Sequence, residues 1–174
     1  MRLFTAINFD DSVKNVLADV QGSLKSSGVR GRFTVPENLH LTLVFIGDVA
    51  TAQLPALKAA IGGVSFEPFE LTVTGLGTFG RANGAVLWVG ITPCPELGRV
   101  RAELYKRITD AEFPADDREF SPHLTLARDA VLPRGFVLAG YETPAITVRV
   151  TRIGLMESVF EGGKVFYREI FTGS

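Results

Sequence analysis

The chain has two histidines, and each opens the same tetrapeptide: His40-Leu41-Thr42-Leu43 and His123-Leu124-Thr125-Leu126. With 18 leucines and 14 threonines in 174 residues, a given histidine is followed by Leu-Thr-Leu by chance roughly once in a thousand times. The repeat is a signal. On an extended strand successive side chains take opposite faces, so His40 and Thr42 share one face while Leu41 and Leu43 share the other. His123 and Thr125 stand alike. Each copy offers an imidazole beside a hydroxyl, on a rigid element that buries its leucines.

Two such strands facing one another would surround a small group with two imidazoles and two hydroxyls. A phosphate suits that set. Threonine hydroxyls donate to its oxygens. One histidine can take a proton from a nucleophile while the other gives one to a leaving oxygen. Near neutral pH an ordinary imidazole is available in either form. Zinc is the rival occupant of a histidine pair. Neither histidine is followed at its second or fourth position by a carboxylate; Thr42 and Val44, Thr125 and Ala127 stand there instead. No metal and no cofactor are expected.

Those strands need a framework. Hydrophobic residues make up 46% and charged residues 21% of the chain, a globular composition. The net charge of −1 gives no bulk attraction to long nucleic acid, so any nucleic-acid contact must be local, at an end or a phosphate. The opening residues are too short an apolar run for a signal peptide. No run reaches the ~20 apolar residues of a membrane span. A cytoplasmic protein without a membrane or protein partner, a monomer, is expected. Cys94, the single cysteine, lies between two prolines and reads as a loop or helix-entry residue.

Alternation predicts a strand over 2–9. Asp10 then caps a helix over 11–26, whose Val13, Val16, Leu17, Val20 and Leu24 recur at helical spacing. Further strands are predicted at 32–35, 39–46, 66–75, 85–91, 123–127, 145–155 and 164–171, and helices at 51–61 and 96–111. Residues 114–117 read as a loop at the rim of the site. Helices and strands mix without a strict βαβ rhythm, which favours α+β with antiparallel sheet.

At the two tetrapeptides the sequence resembles the 2H phosphoesterase superfamily, named for paired His-x-Thr motifs. More closely it is similar to the RNA 2′,3′-cyclic phosphodiesterases, the LigT-like or 2′-5′ RNA ligase family. The likeness begins at Leu3-Phe4-Thr5-Ala6-Ile7 and runs from Arg32 to Gly47. It continues through Val86–Gly90 and Phe120–Arg128, and closes with Leu155–Ser158 and the Tyr167 strand. It implies one domain over 1–174 with two pseudo-symmetric lobes. Each lobe carries an antiparallel sheet with helices outside, and the motifs flank a central groove. It implies metal-independent hydrolysis of RNA 2′,3′-cyclic phosphate ends to 2′-phosphates. His123 is then the base that activates water, His40 the acid that protonates the departing 3′ oxygen, and Thr42, Thr125 and Arg128 the phosphate holders. The alternatives are 2′-5′ ligation, another two-histidine phosphodiesterase acting on 2′,5′-linked or nucleotide cyclic phosphates, and a module that binds RNA ends without turnover.

One position departs from the family pattern. A basic residue often follows the first motif there, and here it is Val44, which strand period places on the histidine face. Arg32 and Phe79 are candidate RNA contacts; Arg30 reads as a solvated loop residue. Phe45 and Trp88 are expected in the core.

Overall fold

Asp10 accepts a hydrogen bond from the Val13 amide at 3.0 Å and starts the first helix, α1 (Asp11–Ser26). That bond satisfies one of the amides a helix N-terminus leaves unpaired. The α1 stripe of Val13, Leu17, Val20 and Leu24 is buried. Pro95 opens α3 (Pro95–Asp110) where its missing N–H costs nothing, and Leu97, Val100, Leu104 and Ile108 face inward. The shorter α2 (Leu54–Gly62) buries Leu57 and Ile61. Residues 1–80 and 84–173 are described by the structure, a computed structural model.

The described residues also form nine strands: β1 (Arg2–Asn8), β2 (Arg30–Phe33), β3 (His40–Asp48), β4 (Phe69–Phe79), β5 (Ala85–Ile91), β6 (His123–Val131), β7 (Ile146–Val150), β8 (Ile153–Glu161) and β9 (Lys164–Gly173). They form two sheets, ordered β3-β1-β8-β9 and β2-β6-β5-β4-β7, with antiparallel pairing throughout. The α+β expectation holds. One apolar cluster, from Leu3 on β1 to Ile153 on β8, packs the sheets against the helices.

The two histidine strands are built alike. β1-α1 leads to β3, and β5-α3 leads to β6. His40 lies opposite Asn8, Leu41 opposite Ile7 and Thr42 opposite Ala6. His123 lies opposite Gly90, Leu124 opposite Val89 and Thr125 opposite Trp88. Helix α1 agrees with the sequence expectation at both ends. The strand predicted over 145–155 does not: it is two strands in different sheets. β7 pairs with β4, and β8 pairs with β1 and β9. Exposed Thr151 and Arg152 carry the chain across. The sign is a slip in phase, from Ile146, Val148 and Val150 to Ile153 and Leu155.

Candidate active site

Each imidazole is held by the same device. The carbonyl of Asn38 lies 2.8 Å from His40 Nδ1, and the carbonyl of Ser121 lies 2.7 Å from His123 Nδ1. A carbonyl only accepts, so each Nδ1 carries the proton and each Nε2 is left as the working nitrogen. The Thr42 hydroxyl donates to His40 Nε2 at 2.9 Å.

Aromatic rings wall both histidines. Phe4 lies tilted against His40 at 4.9 Å between centroids, and Tyr167 of β9 meets it edge-on, also at 4.9 Å. Trp88 lies tilted against His123 at 6.2 Å, and Phe79 meets it edge-on at 4.8 Å. Phe79 is therefore a wall of the His123 site. Trp88, expected in the core, is half-buried on the histidine face, because its register partner is Thr125.

Burial pushes His40 down to about 4, against the pull of the Asn38 carbonyl; the charges of Arg128, His123 and Lys14 push the same way. His123 is lowered too, by burial first and by Arg128, with the Ser121 carbonyl opposing. Arg128, on β6, thus acts on both histidines, which stand on two different strands. With no anion present, both imidazoles are neutral near pH 7.

A bulge follows each motif. Thr42 faces Ala6 and Val44 faces Thr5, so Leu43 is the extra residue on β3. Thr125 faces Trp88 and Ala127 faces Leu87, so Leu126 is the extra residue on β6. An inserted residue shifts the alternation by one. This corrects two expectations. Val44 does not share the histidine face: it is 2% exposed and packs in the core. Phe45 is not a core residue: it is 49% exposed, and its ring lies 6.0 Å from Phe4. On β6 the same shift buries Ala127 and leaves Arg128 exposed. The missing basic residue at Val44 therefore removes no charge from the histidine face of this chain.

Arg32 lies opposite Arg128 across β2 and β6, on the same face, and pairs with Asp129 at 2.6 Å. Arg30 is exposed. The 114–117 loop does reach the site's edge, for the Asp116 amide donates to the Phe45 carbonyl at 3.0 Å. Cys94 precedes α3 as its capping residue. Among the described residues no three His, Cys, Asp or Glu side chains gather as a metal-ligating group. No helix of the described residues is long and apolar enough to cross a membrane.

Sequence reasoning missed Asn38 as a positioning residue. Its side chain donates to the Val165 carbonyl at 2.7 Å and accepts from the Tyr167 amide at 3.2 Å, tying β9 to the turn that holds His40. No motif marks it, since the partner strand lies far along the chain. The bulges had a sign: two consecutive apolar residues, Leu43-Val44 and Leu126-Ala127, interrupt the alternation.

Comparison with known proteins agrees with this geometry. The sequence profile of the 2′-5′ RNA ligase superfamily matches residues 9–159. A protein of Archaeoglobus fulgidus named RNA 2′,3′-cyclic phosphodiesterase is 35% identical over 130 residues, covering 74% of this chain and 72% of that one. A protein of the same name from Thermotoga maritima is 26% identical over 98% of this chain and 94% of its own. Among solved structures, E. coli LigT complexed with 3′-AMP superposes with a TM-score of 0.82 at 27% identity, covering 98% of this chain and 95% of that one. The paired motifs, the two sheets that carry them and the extent of these matches lead to one conclusion: the chain belongs to the 2′-5′ RNA ligase superfamily.

Proposed function

We propose that this protein hydrolyses RNA 2′,3′-cyclic phosphate ends to 2′-phosphate ends without a metal, by acid–base catalysis between His40 and His123. The observation that carries the reading is the matched pair of imidazoles, each fixed through Nδ1 with Nε2 as its unprotonated nitrogen and both within the field of Arg128. The relatives' shared name, RNA 2′,3′-cyclic phosphodiesterase, supports it. The working unit is one chain forming a single domain of two lobes, acting in the cytoplasm on RNA ends or small nucleotide cyclic phosphates.

In this reading His123 Nε2 takes a proton from water as the water oxygen bonds to phosphorus. The bond from phosphorus to the 3′ oxygen breaks, and protonated His40 gives its Nε2 proton to that oxygen. The products are a 2′-phosphate and a free 3′-hydroxyl. Arg128, Thr42 and Thr125 hold the phosphate oxygens, with charge-assisted bonds from the guanidinium. Arg32 and Phe79 lie beside them for the sugar–phosphate backbone and the base.

His40 near 4 is neutral in the empty site, so an acid role requires the substrate to supply the shift. A phosphodiester anion beside the ring favours imidazolium. Once protonated, His40 no longer accepts from Thr42, and that hydroxyl is freed to donate to the phosphate.

The test is incubation with a short RNA ending in a 2′,3′-cyclic phosphate, with chelator present, and assignment of the product end by NMR. A 2′-phosphate is expected, with loss of turnover in His40→Ala and in His123→Ala by about 10²–10⁴-fold each. A cyclic end left intact by the folded protein, or full activity in either variant, overturns the reading.

A further inference from the structure

Thr5 and Gln21 are the buried polar side chains among the described residues, at 0% and 4% exposure. Neither hydrogen-bonds a histidine. Each instead pins one of the two bulges. Thr5 Oγ1 accepts from the Val44 amide at 3.2 Å, at the β3 bulge. Gln21, reaching from α1, donates through Nε2 to the Leu126 carbonyl at 2.9 Å, at the β6 bulge, and to the Thr34 carbonyl at 2.8 Å. A buried polar side chain is costly unless its bonds are made, and a bulge leaves main-chain groups unpaired. Thr5 pairs the Val44 amide at its bulge, while the Leu126 carbonyl, which already accepts from the Thr34 amide at 2.9 Å, takes a second bond from Gln21 that ties the β6 bulge to α1.

What the bulges do is aim a side chain. Without the extra residue on β6, alternation would put Ala127 beside Thr125 and turn Arg128 into the core. Without the one on β3, Val44 would stand beside Thr42 and Phe45 would point inward. We infer that Gln21 and Thr5 are positioning residues, fixing the bulges that turn Arg128 and Phe45 onto the histidine face. The inference deepens the phosphodiesterase reading, and only its kinetic arm rests on that reading.

The test begins with the histidine titrations in intact, folded Gln21→Met protein, followed by NMR. The charges acting on His40 are Arg128 and His123 from β6 and Lys14 from α1; Arg128 acts on His123. The substitution changes none of them, so a role confined to packing leaves both titrations where they were. Release of Arg128 is expected to move both toward higher pH and to raise KM for a cyclic phosphate about tenfold, with a smaller change in kcat. Thr5→Val, nearly isosteric, is expected to speed hydrogen exchange at the Val44 amide and raise KM, while Thr5→Ser, which keeps the hydroxyl, restores both. Unchanged titrations and KM in Gln21→Met overturn the role of Gln21. Unchanged exchange and KM in Thr5→Val overturn that of Thr5, and decide the matter if Gln21→Met does not fold. The NMR arms need no substrate, so a parent protein without phosphodiesterase activity would refute the proposed function and still leave this inference decidable.

Discussion

Phe45 and Arg128 occupy the same place on two different strands. Each follows its histidine at the same spacing, each comes directly after a buried small or branched residue, and each is turned outward by a bulge. One station thus carries an aromatic ring and its counterpart a guanidinium. The two halves of the site are alike in backbone and different in chemistry, which suits a substrate with an anionic phosphate and a flat base.

The neighbouring pair Val44 and Phe45 tests that phasing directly. Val44→Lys puts a charge in the core and is expected to cost at least about 3 kcal/mol. Phe45→Lys, on the exposed face, is expected to cost less than about 1 kcal/mol. Urea unfolding of both variants measures the difference. The reverse order would mean that β3 runs without its bulge.

Arg128→Ala is expected to reduce kcat/KM about 10–100-fold, the scale of a lost charge-assisted bond to phosphate. Arg128→Lys keeps the charge but not the forked geometry, and is expected to recover only part of the loss. Full activity in Arg128→Ala would remove this residue from the site.

The pH dependence follows from the two lowered histidines. Turnover needs one imidazolium and one imidazole. In the free protein His40 titrates at about 4 and His123 below its ordinary 6.5, so kcat/KM is expected to peak on the acid side of pH 6.5. The profile of kcat reports the complex, where the phosphate anion raises both groups, and its maximum is expected at higher pH. A kcat/KM maximum above pH 7 would contradict the lowered values. Stability carries the same sign. Between about pH 6.5 and 4 the unfolded chain binds a proton that folded His40 refuses, so stability present above pH 6.5 is lost as pH falls through that window. The loss is at most about 3 kcal/mol, and its slope should flatten in His40→Asn.

Gly77 supports the other wall. A Cβ there would lie 2.1 Å from ring carbons of Trp88, so Gly77→Ala must displace the indole that backs His123. The expected cost is about 1–3 kcal/mol. Trp88 is the single tryptophan, so its fluorescence should shift in the folded variant, and an unchanged spectrum would show the ring had not moved.

Much of this is legible in the sequence. The paired motifs named the two histidines and threonines, and helical periodicity placed α1, because both signals are local. The faces of Val44 and Phe45 were misread because strict alternation cannot register an inserted residue, although Leu43-Val44 breaks the pattern. The break at Thr151 and Arg152 was missed for the same reason: a change of sheet leaves only a slip in phase. Gln21 and Asn38 were invisible because their partners, Leu126 and Tyr167, lie far along the chain.

The passage of the chain back across at Thr151 and Arg152 has a consequence for biosynthesis. His40 is made early, but the ring that walls it, Tyr167, and the backbone that clasps Asn38 belong to β9. A ribosome that has released both His-Leu-Thr-Leu words has still not delivered a finished acid–base pair. A premature stop after β7 would yield a polypeptide that any motif search scores as intact, yet whose first histidine lacks both the Tyr167 wall and the β9 clasp on Asn38.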